Sequence, residues 1–264
     1  MIPFLPDEVE VLRVLARSWP SAKTVVLGAA AIRCFMPMRW RVTQDLDLTI
    51  AAGIEDSTSV LASIPGWSPD PRHEQRWLTA AGVAVDVVPA STDSLERGYI
   101  EWPRTRFRMS LVGMRLAFER DISLSIASDL EVRVAPLYVL TVLKMVAFLE
   151  RPDAREKDVG DLAHILHGYI GVDSDRRFSS EVPDDLTEFD DVAPYLLGCD
   201  VAAVVNPQER QKVLEFIDTI EHDTLGPRLV GRMSVLGPSA WRDPDGVFKR
   251  ISAFRRGLGE RSAP

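Results

Sequence analysis

Asp45 and Asp47 stand two positions apart in the alternating run D-L-D-L-T-I. As a strand this run puts both carboxylates on one face and gives Leu46, Leu48 and Ile50 to apolar packing. Two carboxylates side by side repel unless a cation or a proton lies between them. Hard oxygen ligands of this kind suit Mg²⁺, above all where phosphate oxygens complete the coordination. A third acid, Asp86, is isolated in V-A-V-D-V-V, where an unpaired carboxylate is expensive to bury. If its strand neighbours the first, three carboxylates converge as metal-assisted phosphoryl or nucleotidyl transfer requires. Side chains more than ~8 Å apart would exclude a shared ion, given metal–oxygen distances of ~2–2.6 Å. Gly28 closes the apolar run V-V-L and opens A-A-A-I-R. A glycine at such a strand-to-helix turn lets a phosphate approach the backbone, beside a helix N-terminus that favours anions. Each sign alone also fits a turn, an edge strand or an ion pair; their combination points to a site.

The elements that must hold these residues follow from periodicity and punctuation. Residues 7–18 place Val11, Leu12, Val14 and Leu15 at helical spacing, and Pro20 follows them. A short strand over 24–27 leads to a helix over 29–35 that ends at Pro37. The basic connection 39–43 enters the 45–50 strand. Residues 56–64 read as a helix with Asp56 or Ser57 at its cap, and Pro65-Gly66, Pro69 and Pro71 make a loop. Strands over 76–79 and 83–88 form a hairpin across Ala81-Gly82. Signals weaken over 90–118, where 101–109 is loop or edge strand. A strand over 130–134 precedes a helix opened by Pro136 and running to 149. Residues 157–169, 184–191, 195–205, 207–221 and 246–256 are helix candidates, and 261–264 should fray.

The balance of the 264 residues, 46% hydrophobic and 27% charged, is that of a globular chain, and the net charge of −8 argues against a broad nucleic-acid surface. Cys34 and Cys199 read as reduced thiols, and His73, His164, His167 and His222 lack zinc-ligand companions. No apolar run approaches a membrane span and no secretory signal opens the chain, so a cytoplasmic protein without membrane contact is expected. Trp67, Trp77, Tyr99 and Trp102 suit either core anchoring or base stacking. The segment W-P-R-T-R-F-R suits either an arginine-guarded edge or an RNA end.

The runs L-G-A-A-A-I-R and R-V-T-Q-D-L-D-L-T-I resemble the nucleotidyltransferase core of the DNA polymerase β superfamily, in particular its AbiEii/AbiGii toxin-like branch. Gly28-Ala29 takes the place of the family's Gly-Gly or Gly-Ser, and Asp45, Asp47 and Asp86 take those of its three carboxylates. Further on, A-P-L-Y-V-L-T-V-L-K-M-V-A-F-L-E-R-P-D-A-R-E-K-D-V-G-D-L resembles the branch's later motifs, with Lys144, Arg151, Lys157, Asp158 and Asp161 in the matching positions.

The resemblance implies an α+β protein. Residues 1–135 would form a nucleotidyltransferase core, a mixed β-sheet flanked by helices, and 136–264 a mostly helical domain completing the nucleotide site. It implies an NTP substrate, Mg²⁺ on Asp45, Asp47 and Asp86, and a tRNA end or protein hydroxyl as acceptor. An antitoxin would be the partner. Gly28 and Ala29 would cradle phosphate, with Arg33 as a further phosphate contact. Lys144 and Arg151, seven apart and hence on one helical face, would neutralise the triphosphate, and Asp158 and Asp161 would orient them. An ordinary ion-pair network between helices is the alternative for these four. Ala29 departs from the pattern, since a serine hydroxyl is missing there. Two other readings therefore stand beside the toxin: a small-molecule nucleotidyltransferase, and a catalytically silent partner-binding module of the same fold.

Overall fold

The computed structural model describes residues 3–43, 45–221 and 225–260. His222, Gln44 and the segment 261–264 lie outside them. Helix α1 (Pro6–Ser18) leads to β1 (Thr24–Val26), α2 (Gly28–Arg33) and β2 (Asp45–Ile50). After α3 (Ile54–Ser63) come β3 (Ser68–Pro69), β4 (Arg76–Leu78) and β5 (Ala84–Pro89). Then follow α4 (Thr92–Arg97), β6 (Tyr99–Glu101), β7 (Arg108–Ser110), α5 (Met114–Glu119), β8 (Ile122–Ala127) and β9 (Leu130–Val134). A seven-stranded sheet runs β3-β4-β5-β2-β1-β9-β8, and β6 and β7 pair separately. The β2–β5 and β1–β9 pairs are parallel and the others antiparallel, so the sheet is mixed. The strand bearing Asp45 and Asp47 is its centre. Leu46, Leu48, Val85 and Val87 alternate with the acids and are buried, which fixes the register of both strands.

Within the expected 65–71 loop, β3 forms, and Pro69 is tolerated there because an edge strand need not donate on its outer side. At the other edge β8 alternates serine with apolar residues and buries only Ile126, too weak a pattern to announce a strand. Helix α3 starts earlier than expected, with Gly53 as its N-cap. Neither Asp56 nor Ser57 caps it; the Ser57 hydroxyl instead donates back to the Gly53 carbonyl at 2.7 Å. The 101–109 stretch supplies parts of both strands of the β6–β7 hairpin.

The chain divides into two compact units, Met1–Leu140 and Thr141–Pro264. Helix α6 (Leu137–Glu150) carries it from one to the other, followed by α7 (Glu156–Gly168), α8 (Phe189–Ala202), α9 (Pro207–Glu221), α10 (Gly226–Leu236) and α11 (Pro244–Glu260). Phe148 meets Phe216 edge-on at 5.6 Å between ring centroids. Helices α8 and α11 approach through Gly198 and Gly257, where a Cβ would fall 2.2 Å from the Phe254 carbonyl oxygen and 2.0 Å from that of Tyr195. The helix expected over 184–191 does not form as such. Like charges crowd that run, and only its last three residues join α8, where Asp190 and Asp191 suit a first turn. Arg177 ties the incoming chain by donating to the carbonyls of Ile170, Gly171 and Phe189. Helix α10 went unannounced because Gly226, Pro227 and Gly231 depress its propensity.

Candidate active site

The register of three adjacent strands assembles the acidic centre. Asp47 on β2 lies directly across from Asp86 on β5, and Arg76 on β4 lies across from Asp86 on the other side. Asp45, two residues before Asp47, shares its face. One carboxylate oxygen from each of Asp45, Asp47 and Asp86 lies within 4.8 Å of the other two.

Gly28 makes room for this centre. It sits at φ +59°, where side chains are disfavoured. A Cβ built there would stand 1.9 Å from Asp47 Oδ2 and 2.7 Å from its Cγ. The preceding Leu27 amide donates to the Asp47 carbonyl at 2.8 Å, which pins the turn to β2. The first-turn N–H groups that follow have no acceptor within the helix.

Arg76 is the residue that the motif reading missed. Its Nε donates to Asp86 Oδ1 at 2.7 Å, and its Nη2 to Asp86 Oδ2 at 2.8 Å and to Asp45 Oδ2 at 3.0 Å. This is the two-pronged guanidinium–carboxylate arrangement. Hydrogen bonding to Asp86, reinforced by the charges of Asp86 and Asp45 against the cost of burial, pushes the Arg76 pKa up. The hairpin itself was legible, but its register is centred on Ala81, which sets Arg76 opposite Asp86; a turn centred between Ala81 and Gly82 would set position 77 there.

The donor set fits a divalent cation. At a Mg²⁺–oxygen distance of ~2.1 Å, ligands on opposite sides of the ion are ~4.2 Å apart, close to the spacing of the three carboxylates. Among the described residues, no other group of three or more His, Cys, Asp or Glu side chains has this spacing.

The remaining candidates are placed as follows. Ala29 is buried, at 1% exposure. Arg33, half-buried on α2, gives its Nη2 to Glu8 Oε1 at 2.6 Å. In the second unit, Lys144 Nζ lies 2.7 Å from Asp158 Oδ1 and 2.7 Å from Asp161 Oδ2, all three side chains being buried. The two aspartates outweigh the burial that would lower the Lys144 pKa, and it is raised. Arg151 does not continue the helical face of Lys144: α6 stops at Glu150, and Arg151 leaves helical geometry at φ −145°, ψ 67°, the α region being disfavoured before proline. Trp77 and Trp102 are buried, and Arg97 and Arg108 flank the Tyr99 ring. Cys34 and Cys199 are not joined in a disulfide. His164 contacts the Leu236 carbonyl oxygen at 3.1 Å.

Comparison with known proteins bears on this geometry. No curated protein matches the sequence. Among four matching chains of known structure is the crystal structure of an antigenic nucleotidyltransferase-like protein from Paracoccidioides brasiliensis. It has 18% identity and a TM-score of 0.40, over 60% of this chain and 74% of that one. The family described as nucleotidyl transferase AbiEii toxin, type IV TA system, matches residues 11–225. That span contains the carboxylates of β2 and β5, the glycine turn and the Lys144–Asp161 stretch, and on this match the chain belongs to the AbiEii nucleotidyltransferase toxin family.

Proposed function

We propose that the protein transfers a nucleoside monophosphate from an NTP to a hydroxyl on a tRNA end or a protein, with Mg²⁺ held by Asp45, Asp47 and Asp86. The observation that carries this reading is the convergence of three carboxylate oxygens within 4.8 Å at the centre of the sheet. When bound, Mg²⁺ would neutralise phosphate charge and make the acceptor hydroxyl more acidic. The acceptor oxygen forms a bond to the α-phosphorus, the bond to the β-phosphate bridge breaks, and pyrophosphate leaves. Asp45 and Asp47 would bind the ion, and Asp86 would complete the site and assist the nucleophile by accepting the hydroxyl proton. Backbone N–H groups of Gly28 and Ala29 meet phosphate. Ala29 lacks the hydroxyl that serine would add, a contact worth about 1.5–3 kcal/mol to a charged group. Lys144, Arg151, Asp158 and Asp161 remain family motif positions, with no nucleotide contact assigned to them; Arg33 is engaged by Glu8.

Membership in a type IV system supports an antitoxin as the functional partner. A cytoplasmic location is the reading consistent with the proposed NTP and tRNA substrates. Among the described residues no helix is long and apolar enough to cross a membrane. A silent partner-binding module is the second reading, favoured by Ala29 and by the hold of Arg76 on both Asp86 oxygens. The test is purified protein with Mg²⁺, each α-labelled NTP and a cell extract. Label transferred to a macromolecule, and lost in Asp45→Ala, supports the enzyme. Label found on a low-mass product moves the acceptor to small molecules. No binding of any NTP by calorimetry with Mg²⁺ present leaves the silent module.

A further inference from the structure

We infer that Arg76 is a resident counter-cation of the acidic centre, which Asp86 must release before it can ligate a divalent ion. The inference rests on the reading of Asp45, Asp47 and Asp86 as the metal ligands. Both Asp86 oxygens are engaged by one guanidinium, at 2.7 and 2.8 Å, and the same Nη2 reaches Asp45 at 3.0 Å. Arginine does not give up its proton in proteins, so this positive charge leaves only by moving away. The strand register makes the pairing part of the fold, because Arg76 stands directly across from Asp86 on the neighbouring strand. The Arg76 side chain is 27% exposed, against 15% for Asp86 and for Asp45. Of these three side chains Arg76 is the most solvent-exposed. Arg76 thus steadies the carboxylates in the metal-free protein and competes with the ion for Asp86. Such a residue sets how much free metal is needed to charge the site.

A purely supporting role predicts the opposite outcome, because a group that only orients a ligand weakens metal binding when it is removed. The experiment is Mn²⁺ binding by calorimetry, without nucleotide, to wild type, Arg76→Met and Arg76→Lys. Thermal melts in chelator and in Mn²⁺ accompany it. The competing role predicts at least tenfold tighter Mn²⁺ binding by Arg76→Met. It also predicts a lower Tm for that variant in chelator and a larger Mn²⁺-induced rise in Tm than in wild type. Arg76→Lys keeps a charge but not the two-pronged grip, so its gain should be smaller, and it serves if Arg76→Met does not fold. Unchanged or weaker Mn²⁺ binding in the folded variants overturns the inference and leaves the metal site standing. No Mn²⁺ binding by any of the three proteins overturns both.

Discussion

The carboxylate of Asp47 rests against the α-carbon of Gly28, so closely that a methyl group there would stand 1.9 Å from Oδ2. Gly28→Ala therefore meets two penalties: its φ of +59° is strained for alanine, and Asp47 must move. The variant should lose at least about 1–2 kcal/mol of stability from the backbone alone. Divalent-ion affinity should fall about 10–100-fold, as when support of a metal ligand is removed. Denaturant melts and Mn²⁺ calorimetry read the two effects separately. Wild-type metal affinity in the variant would break the link between this turn and the acidic centre.

Asp47→Asn keeps the size of the side chain and removes one charge from the centre. Transfer should fall about 100- to 1000-fold, the range for losing one aimed electrostatic contact in a transition state. The melting temperature in chelator should hold or rise, because one source of carboxylate repulsion is gone. Rate and melting temperature falling together would instead mark Asp47 as a structural residue.

Much of this site was legible in the residues. The alternation around Asp45 and Asp47 gave β2 its observed bounds, and Leu130–Val134 and Pro207–Glu221 also form as read. The pairing of β5 with β2 was a condition that no local pattern could supply, because it joins strands far apart in sequence. Arg76 escaped notice for another reason. Its importance lies in a cross-strand pairing, whereas motif reading looks along the chain. Arg151 shows the reverse: helical spacing alone puts it on the face of Lys144, and the stop that Pro152 imposes takes it off the helix.

Lys144 is buried between Asp158 and Asp161. Lys144→Met removes the cation held between two buried carboxylates and should cost about 3–5 kcal/mol. The pH dependence has a definite sign. The folded pKa is raised above the ordinary 10.5, so above pH 10.5 the folded state holds more protons than the unfolded state. The stabilisation is complete below that value and fades as pH rises through the folded pKa. Urea melts from pH 9 upward should show a steeper loss for wild type than for Lys144→Met. Equal slopes would contradict the buried ion triad.

Gly257 lets α11 approach α8 to within 2.0 Å of where its Cβ would fall. Gly257→Ala must push the helices apart, and overpacking of this kind costs about 1–3 kcal/mol. The loss should appear in the denaturation midpoint. An unchanged midpoint would mean the crossing is looser than described.

Nucleotidyl transfer at the carboxylates of β2 and β5 is tested most directly by following the two ends of one NTP. Purified protein with Mg²⁺ and cell extract is incubated with α-labelled and, separately, γ-labelled NTP, using wild type and Asp45→Ala. Label from the α-phosphate should enter the acceptor, label from the γ-phosphate should leave as pyrophosphate, and Asp45→Ala should do neither. Acceptor labelled from the γ-phosphate, or undiminished transfer by Asp45→Ala, would contradict it.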